Sequence, residues 1–229
     1  MATIVIIPAL NEGDNIGAIV AETLLQPVEW VIVVDNGSSD DTAQQAAAAG
    51  AIVVSEPRRG YGHACAAGSR TALARGAEAL VFIDGDHSSR PSEIATLLQP
   101  LLDDEADLVL GSRVLGQIEP GAMLAHQRFG NRLSAAMMRR LYGVEVTDLG
   151  PYRAIRASLF QRLDMTEMTF GWPTEMTVKS ARSGARIVEV AVTWSRRKAG
   201  RSKVSGTVKG SILAGFHIMR VTLRHAPKR

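Results

Sequence analysis

The sequence predicts an α/β fold in which a mainly parallel sheet is covered by helices on both faces. Short apolar runs with the length and composition of buried strands occur at residues 4–7, 30–34, 52–54, 79–83 and 107–110. Helical patterns separate these runs, and Gly50 and Gly76 mark the ends of two of them. Because parallel neighbours need a crossover between them, alternating strands and helices favour a parallel sheet.

The helices are predicted from apolar periodicity and from end signals. The first carries Ile16, Ile19, Val20 and Leu24 on one face, and the second is the alanine-rich segment behind the turn GSSDDT. Further helices are predicted at residues 63–75, 91–102, 126–143, 172–183 and 207–224. Two later strands are predicted at 152–155 and 187–194, so the second half elaborates one domain. We expect one large domain at residues 1–210 and a basic amphipathic helix or tail at residues 211–229.

Composition places the chain among ordinary globular proteins. Of its 229 residues, 46% are hydrophobic and 21% are charged, which suffices for a sizeable core. The single cysteine, Cys65, excludes an intrachain disulfide and favours a reducing compartment. Neither a signal peptide nor a long apolar span is evident. These features predict a cytoplasmic protein. A peripheral position at the inner face of the membrane is the alternative location.

Charge is distributed unevenly along the chain. After Glu189 come ten basic residues and no acid, whereas the preceding part carries sixteen basic and 23 acidic residues. A basic tail on a mildly acidic body predicts an anionic partner such as a phosphate, a lipid headgroup or a nucleic acid. A solvated surface tail is the simpler alternative.

Polar motifs follow three of the predicted strands. PALNE follows the first strand, DNGSSD the second and DGD the fourth. The carboxyl ends of parallel strands meet at one edge of the sheet, where α/β proteins bind ligands. Neither the G-x-G-x-x-G pattern of dinucleotide enzymes nor the G-x-x-x-x-G-K-[ST] phosphate loop is present. A phosphorylated ligand would therefore need another means of attachment, for which a metal ion is the obvious candidate.

Asp84 and Asp86 are the candidate metal ligands. Their spacing of two points both side chains the same way on an extended chain, and Gly85 between them admits a ligand close to the backbone. Two hard oxygen ligands suit Mg²⁺ or Mn²⁺, which complete their shells with substrate phosphates and water. A polar strand-to-loop turn is the alternative, because Asp and Gly favour turns.

Five motifs together carry a family resemblance. The segments IVIIPALNE, VIVVDNGSSDDT, VFIDGD, TDLGPYRAIR and RKAGRSKVSGT, in this order and spacing, resemble family 2 glycosyltransferases of the GT-A fold. They are most similar to the branch of dolichol- and polyprenyl-phosphate sugar transferases, and the resemblance covers residues 3–210. It implies a metal-dependent, inverting transfer of a hexose from a UDP-glucose or GDP-mannose type donor to polyprenyl phosphate or another membrane-surface lipid.

The resemblance also implies residue roles. The nucleotide pocket would be formed by Pro8, Ala9, Asn11, Glu12, Asp35, Ser38, Gly60, Gly62, Asp84 and Gly85. Asp84 and Asp86 would bind Mg²⁺ or Mn²⁺, and Arg201 and Lys203 would reach the diphosphate, where negative charge develops as the donor leaves. Ser88 stands where many relatives carry a glutamine that helps to bind the metal, so the metal geometry departs from the family pattern.

The acceptor decides whether a general base is needed. A hydroxyl acceptor needs one, and the candidates are Asp148 and Glu175. A phosphate acceptor is already an anion and needs cations instead, which Arg113, Arg128, Arg132 or the basic tail could supply. For Asp148 the structural alternative is a turn or cap, and for Glu175 it is an acid on a helix face.

The C-terminal segment bears on the partner. In a helix, Val208, Ile212, Phe216, Met219 and Leu223 fall on one stripe, which suits an anionic membrane surface, the domain itself or a second subunit. We expect a nucleotide-sugar donor, a lipid-phosphate or other acceptor and no nucleic-acid partner; a homodimer is allowed. Two rival functions are a nucleotidyltransferase that makes sugar nucleotides and a non-catalytic sugar-nucleotide-binding protein.

Overall fold

A computed structural model of the chain describes residues 1–199 and 208–226, and within 208–214 it describes the backbone only. The strands are β1 (Thr3–Ala9), β2 (Trp30–Asp35), β3 (Ile52–Ser55), β4 (Ala79–Phe82), β5 (Leu108–Ile118), β6 (Arg153–Arg156) and β7 (Ile187–Trp194). The helices are α1 (Gly13–Leu24), α2 (Thr42–Ala48), α3 (Tyr61–Ala74), α4 (Ile94–Leu102), α5 (Ala125–Tyr142), α6 (Ala157–Leu163), α7 (Trp172–Arg182) and α8 (Val208–Arg224).

The strands form one seven-stranded sheet in the order β3-β2-β1-β4-β6-β5-β7. The pairs β1–β2, β1–β4, β2–β3 and β5–β7 are parallel. Only β6 runs the other way, antiparallel to both β4 and β5. The prediction of a mainly parallel α/β sheet is therefore confirmed, and the ends of β1, β2 and β4 lie side by side at one edge.

The core lies in two layers because successive strand residues point to opposite faces. On one face, Ile4 and Ile6 pack with residues of α3, α5, α6 and α7. On the other face, Val5 and Ile7 pack with residues of α1, α2 and α4. All four β1 side chains are fully buried, and each contributes about 1.5–3 kcal/mol of transfer free energy. This rigid double-sided core fixes the strand ends that carry the polar motifs.

Three elements differ from the sequence-based expectation. Strand β5 extends to Ile118 instead of ending near 110, because a register shift between Ser112 and Gln117 lets it continue beside β7. Helix α6 had no distinct periodic signal, since it is only seven residues long. The segment Pro91–Glu93 is a 3₁₀ turn that leads into α4, in keeping with proline in the first turn.

Helix α8 confirms the predicted C-terminal helix, and the described part of its apolar stripe, from Phe216 onward, is exposed. The side chains of Phe216, Met219 and Leu223 are 59%, 41% and 57% exposed, whereas Val221 and Thr222 are buried. The alternative in which these three side chains pack onto the domain is therefore wrong, because α8 contacts the domain through its opposite face. The predicted boundary at residue 210 falls inside this helix. In the described ranges no helix is both long and apolar enough to cross a membrane.

Gly68 offers a test of helix-to-sheet packing. A Cβ at Gly68 of α3 would lie 2.5 Å from Cγ2 of Ile6 and 2.9 Å from Cγ2 of Val34. We expect Gly68→Ala to lower the free energy of unfolding by about 1–3 kcal/mol, because the helix must move off the sheet. Gly17→Ala in α1 is the matched control, since its Cβ meets nothing closer than 3.8 Å, and it should be neutral or stabilising. Urea unfolding of both variants measures the difference, and equal effects would refute the packing argument.

Candidate active site

A cavity of about 760 Å³ opens where β1, β2 and β4 end. Its wall includes Pro8 and Ala9 at the end of β1, Glu12 after β1, Asn36 after β2, and the segment 84–86 after β4. Parallel pairing of β1 with both neighbours brings these loops together, although they are far apart in sequence. The predicted convergence of the three polar motifs on one edge is what the structure shows.

Asn36 shapes the wall next to β2. Its side-chain amide donates to the carbonyl oxygens of Glu56 (2.8 Å) and Arg58 (2.7 Å), and its Oδ1 accepts from the backbone N–H of Gly60 (2.9 Å). The side chain is 5% exposed, so these bonds hold the 56–60 loop in place over the strand end. Sequence reasoning passed over Asn36, although its position directly after Asp35 was the available signal.

Asn11, Asp35 and Ser38 brace the loops behind the cavity wall. Asp35 Oδ1 accepts from the N–H of Ser38 (2.9 Å), and Ser38 Oγ accepts from the N–H of Asn11 (2.9 Å). None of the three is among the described residues that line the cavity. Their expected contact with the nucleotide stays a prediction, whereas the present geometry shows them joining the β1 and β2 loops.

Gly60 and Gly62 permit a close approach of backbone to backbone. A Cβ at Gly60 would lie 2.5 Å from the carbonyl oxygen of Met168, and one at Gly62 would lie 2.4 Å from that of Glu167. Gly60 also has a backbone φ of 145°, which residues with a side chain rarely adopt. Gly60 lines the cavity and Gly62 is buried. The sequence predicts that these glycines make room for the nucleotide base. At Gly62, the structure shows that the missing side chain instead makes room for the backbone of residues 167–168.

Asp84, Gly85 and Asp86 all line the cavity. Tyr61 donates to Asp84 Oδ1 (3.3 Å), and the N–H of Ser88 donates to Asp86 Oδ1 (3.0 Å). The Ser88 hydroxyl also donates to Asp86 Oδ1 and is buried, so Ser88 orients this carboxylate. At the position where the resemblance leads one to expect glutamine, Ser88 therefore braces the Asp86 carboxylate.

Arg197 supplies the counter-charge at this end of the cavity. Its Nη2 donates to Glu12 Oε1 (2.8 Å) and to Asp86 Oδ2 (3.1 Å), and the side chain lines the cavity. The N–H of Ser195 donates to the carbonyl of Ser88 (2.8 Å), which holds the segment after β7 against the loop after β4. Sequence reasoning had stressed Arg201 and Lys203, which lie outside the described residues; Arg197, in the same basic run, was missed.

Burial, followed by the negative charge of Asp86, raises the pKa of Asp84 to about 7. A divalent cation between the two carboxylates would reverse this effect, because it favours the ionised form. In the described part of the chain no cluster of three His, Cys, Asp or Glu side chains is arranged to hold a metal. Two carboxylates at a cavity wall fit Mg²⁺ or Mn²⁺ whose remaining ligands are donor phosphates and water.

Asp148 holds Arg113. Asp148 is fully buried, and its Oδ2 accepts from the N–H (2.9 Å) and Nε (2.7 Å) of Arg113 while Oδ1 accepts from Nη2 (2.6 Å). The Arg113 guanidinium also lies 4.8 Å from the ring centroid of Trp194. Arg113 lines the cavity, whereas Asp148 is not among the described lining residues. The arrangement aims a fixed cation at the cavity.

Glu175 holds the loop beneath Gly62. Its carboxylate is buried and accepts from the N–H groups of Thr166 (2.9 Å) and Glu167 (2.8 Å), and Lys179 Nζ lies 3.0 Å away. Burial would raise the pKa of Glu175, but these hydrogen bonds outweigh it and lower the pKa. A carboxylate that is fully engaged and absent from the described cavity wall is poorly placed to take a proton from an acceptor.

The far end of the cavity is apolar and was not predicted. It lies along α5 and α8 and its wall includes Met123, Leu149, Phe170, Trp194 and Ile218. His126 and His217 add polar atoms there. Arg128 and Arg132 are exposed on α5 and lie outside the described cavity wall. No sequence motif marks these residues, because they come from five separate segments: the residues before α5, β6 and α7, the end of β7, and α8.

Comparison with known proteins agrees with this geometry. The chain belongs to glycosyl transferase family 2, whose model matches residues 4–164. It is 32% identical over 225 residues to undecaprenyl-phosphate mannosyltransferase of Micrococcus luteus, covering 92% of this chain and 90% of that protein. It is 33% identical to polyprenol monophosphomannose synthase of Mycolicibacterium smegmatis, covering 90% of this chain and 82% of that protein. The resemblance seen in the sequence is confirmed.

Solved structures show the same fold. Glucosyl-3-phosphoglycerate synthase of Mycobacterium tuberculosis, in complex with Mn²⁺, UDP and glucosyl-3-phosphoglycerate, matches with a TM-score of 0.76 and 22% identity, covering 99% of this chain and 81% of that chain. Its complex with Mg²⁺ and UDP matches with a TM-score of 0.75, 24% identity and coverage of 99% and 80%. The chain therefore has the GT-A fold and is a glycosyltransferase, which rules out the nucleotidyltransferase and the non-catalytic binding protein.

The raised pKa of Asp84 predicts a pH-dependent cost of folding. Between the ordinary aspartate pKa and about 7, the folded state binds more protons than the unfolded state, so stability falls as pH rises through this window. Without divalent metal, Asp84→Asn should be more stable than the native protein by about 1 kcal/mol or more near pH 8. The difference should vanish near pH 4, where both side chains are neutral. Urea unfolding at the two pH values checks this, and a pH-independent difference would contradict it.

Proposed function

We propose that this glycosyltransferase moves a hexose from a nucleotide sugar to a polyprenyl phosphate or another phosphate-bearing lipid at a membrane surface, in a metal-dependent reaction that inverts the anomeric centre. The observation that carries the proposal is one cavity whose wall combines two unlike sets of side chains, carboxylates with arginines and apolar side chains. We assign the carboxylates and arginines to a donor end and the apolar side chains near α5 and α8 to an acceptor end. The names of the two polyprenyl-phosphate relatives support the same acceptor class.

The carboxylate end is proposed to hold the donor. Asp84 and Asp86 would hold Mg²⁺ or Mn²⁺, which would neutralise the diphosphate of a UDP- or GDP-sugar when bound. Asn36, Gly60 and Tyr61 line the adjacent wall, where the nucleoside would lie. Arg197 already lies within 3.1 Å of Asp86 and would turn its guanidinium toward the diphosphate once that carboxylate engages the metal. Arg201 and Lys203 are proposed to add charge from the same segment.

The apolar end is proposed to hold the lipid. A phosphate oxygen attacks the anomeric carbon from the face opposite the nucleoside diphosphate leaving group, and the bond from that carbon to the nucleoside diphosphate breaks. A phosphate acceptor needs no strong base, which accords with the engaged positions of Asp148 and Glu175. Arg113, held by Asp148 and lining the cavity, is the described cation best placed to receive a second phosphate.

The outer surface of α5 and α8 is proposed to lie on the membrane. We call the exposed apolar side chains of this surface the apolar face: Leu124, Phe129, Leu133, Phe216, Met219 and Leu223. Arg128 and Arg132 stand beside Phe129 and Leu133 on α5, and Arg220 and Arg224 flank Leu223 on α8. Apolar side chains flanked by arginines suit an anionic lipid surface, and both helices also line the lipid end of the cavity.

Nucleotide titration tests the donor end. With Mn²⁺ or Mg²⁺ present, we expect UDP or GDP to bind in a calorimeter, and we expect EDTA to abolish binding. Asp86→Ala should weaken metal-supported binding by about 100-fold or more, since a metal ligand is lost. Asp14→Ala is the control, because it removes one exposed acid from α1 without touching the cavity. Equal nucleotide binding by both variants, or nucleotide binding that persists in EDTA, would refute the proposal of a metal-dependent donor site.

Vesicle binding tests the apolar face. The native chain should sediment with phosphatidylglycerol vesicles and much less with phosphatidylcholine vesicles, because anionic lipid attracts the arginines. Replacing both Phe129 and Phe216 by serine should weaken binding by about tenfold or more, since each exposes less apolar surface to the lipid.

The control for this experiment is Leu25→Ser, which changes an 84% exposed leucine that follows α1. It should leave vesicle binding unchanged. Suppose that the native chain binds neither kind of vesicle and forms a dimer, whereas the double serine variant is a monomer. The apolar face is then a homodimer interface, and the membrane proposal fails.

A further inference from the structure

A chain of hydrogen bonds leads from a buried carboxylate to the wall of the cavity. Glu167 is 7% exposed, and its Oε1 accepts from the N–H (3.2 Å) and the hydroxyl of Thr169. The Thr169 oxygen lies 3.0 Å from Nδ1 of His217 on α8. Thr169 and His217 both line the cavity. This chain is separate from the carboxylates at the donor end.

The network assigns the tautomer of His217. A hydroxyl has one proton, and Thr169 gives that proton to Glu167, which as a carboxylate can only accept. Thr169 oxygen must therefore accept from His217, so Nδ1 carries hydrogen. Nε2 is then the ring nitrogen that can serve a ligand. In the neutral ring it accepts a hydrogen bond, and in the protonated ring it donates one, while the bond to Thr169 is the same in both states.

We infer that His217 binds the acceptor phosphate through Nε2, with Thr169 and Glu167 acting as positioning residues for the imidazole ring. The inference rests on the proposed function and names a residue for its acceptor site. A phosphate monoester presents P–O⁻ and, as the monoanion, P–OH, and Nε2 can pair with either group. His217, its sequence neighbour Ile218 and Phe170 all line the cavity, so a polar headgroup bound to His217 would have apolar side chains available for the chain that follows it.

The reaction balances with His217 in this place. One phosphate oxygen forms the bond to the anomeric carbon, and the bond from that carbon to the nucleoside diphosphate breaks with both electrons going to the leaving oxygen. If the acceptor enters as the monoanion, its remaining proton passes to Nε2 of His217. If it enters as the dianion, no proton moves, and a protonated His217 stabilises its charge.

A purely structural link between α8 and the 167–169 loop is the competing explanation. Arg220 Nη2 lies 3.8 Å from Glu167 Oε2, one turn further along α8, and already provides such a link. Two variants separate the explanations, because the asparagine amide takes the place of Nδ1 and the glutamine amide that of Nε2. His217→Asn keeps a hydrogen-bond donor to Thr169 but has no group at the position of Nε2. His217→Gln keeps a polar group at the position of Nε2 but loses the hydrogen bond to Thr169.

The experiment measures prenyl-phosphate transfer by the full chain with farnesyl phosphate as the acceptor. We expect His217→Asn to raise the KM for farnesyl phosphate about tenfold or more, with unchanged metal-supported nucleotide binding. Tyr142→Phe, which removes the hydrogen bond from the Tyr142 hydroxyl to the Thr222 carbonyl, is the control for helix docking and should leave that KM unaltered. In the native chain labelled with ¹⁵N-histidine, the Nε2 resonance of His217 should shift on addition of farnesyl phosphate and not of farnesol.

The outcomes separate this inference from the function on which it rests. If the native chain transfers sugar to farnesyl phosphate and His217→Asn keeps the native KM, the inference is overturned and His217 is a structural link. If the native chain binds nucleotide but transfers no sugar to any prenyl phosphate, the proposed function fails. In that case a farnesyl-phosphate shift at Nε2 would still support phosphate binding by His217, and its absence would overturn that as well.

Discussion

Three carboxylates meet at the end of a rigid sheet, and their repulsion must be balanced by a cation. Glu12, Asp84 and Asp86 are held there because β1 and β4 pair in parallel register, so the loops cannot move apart without breaking the core. Arg197 balances part of this charge, and it joins the segment after β7 to the loops after β1 and β4. Burial, followed by the charge of Asp86, raises the pKa of Asp84, although the charge of Arg113 acts in the opposite direction. A divalent cation bound as proposed above would favour the ionised form of these carboxylates.

Other acids of this protein are compensated by hydrogen bonds and act as braces. Glu189 accepts from the N–H groups of Thr147 (2.8 Å) and Asp148 (2.9 Å), and Asp148 in turn holds Arg113. Glu175 does the same for the 166–167 backbone, on which Gly62 rests. These acids position their neighbours and are not among the described residues of the cavity wall. Asp84 and Asp86 also accept hydrogen bonds, from Tyr61 and from Ser88, but they line the cavity and can meet a ligand there.

The cavity wall suits the amphipathic acceptor proposed above. The strand ends provide charged side chains, and helices α5 and α8, which pack on each other and on α7, lie beside its apolar side chains. The same two helices turn the apolar face outward, so a lipid chain could pass from a membrane to the cavity along one surface. The hydrogen-bonded chain from Glu167 to His217 then lies where the headgroup would stop.

The sequence by itself determined the sheet, most of its helices and the donor edge, because these depend on local periodicity and on motifs that directly follow strands. Apolar runs identified β1 to β4, and DGD identified the cavity carboxylates. Only the tertiary structure decided which acids are saturated, since the donors to Asp148 and Glu175 come from Arg113 and from the 166–167 backbone. It also decided the outward turn of the α8 stripe and the meeting of Thr169 with His217, which are 48 residues apart. Periodicity shows that a helix has an apolar side, and packing selects the side that is covered.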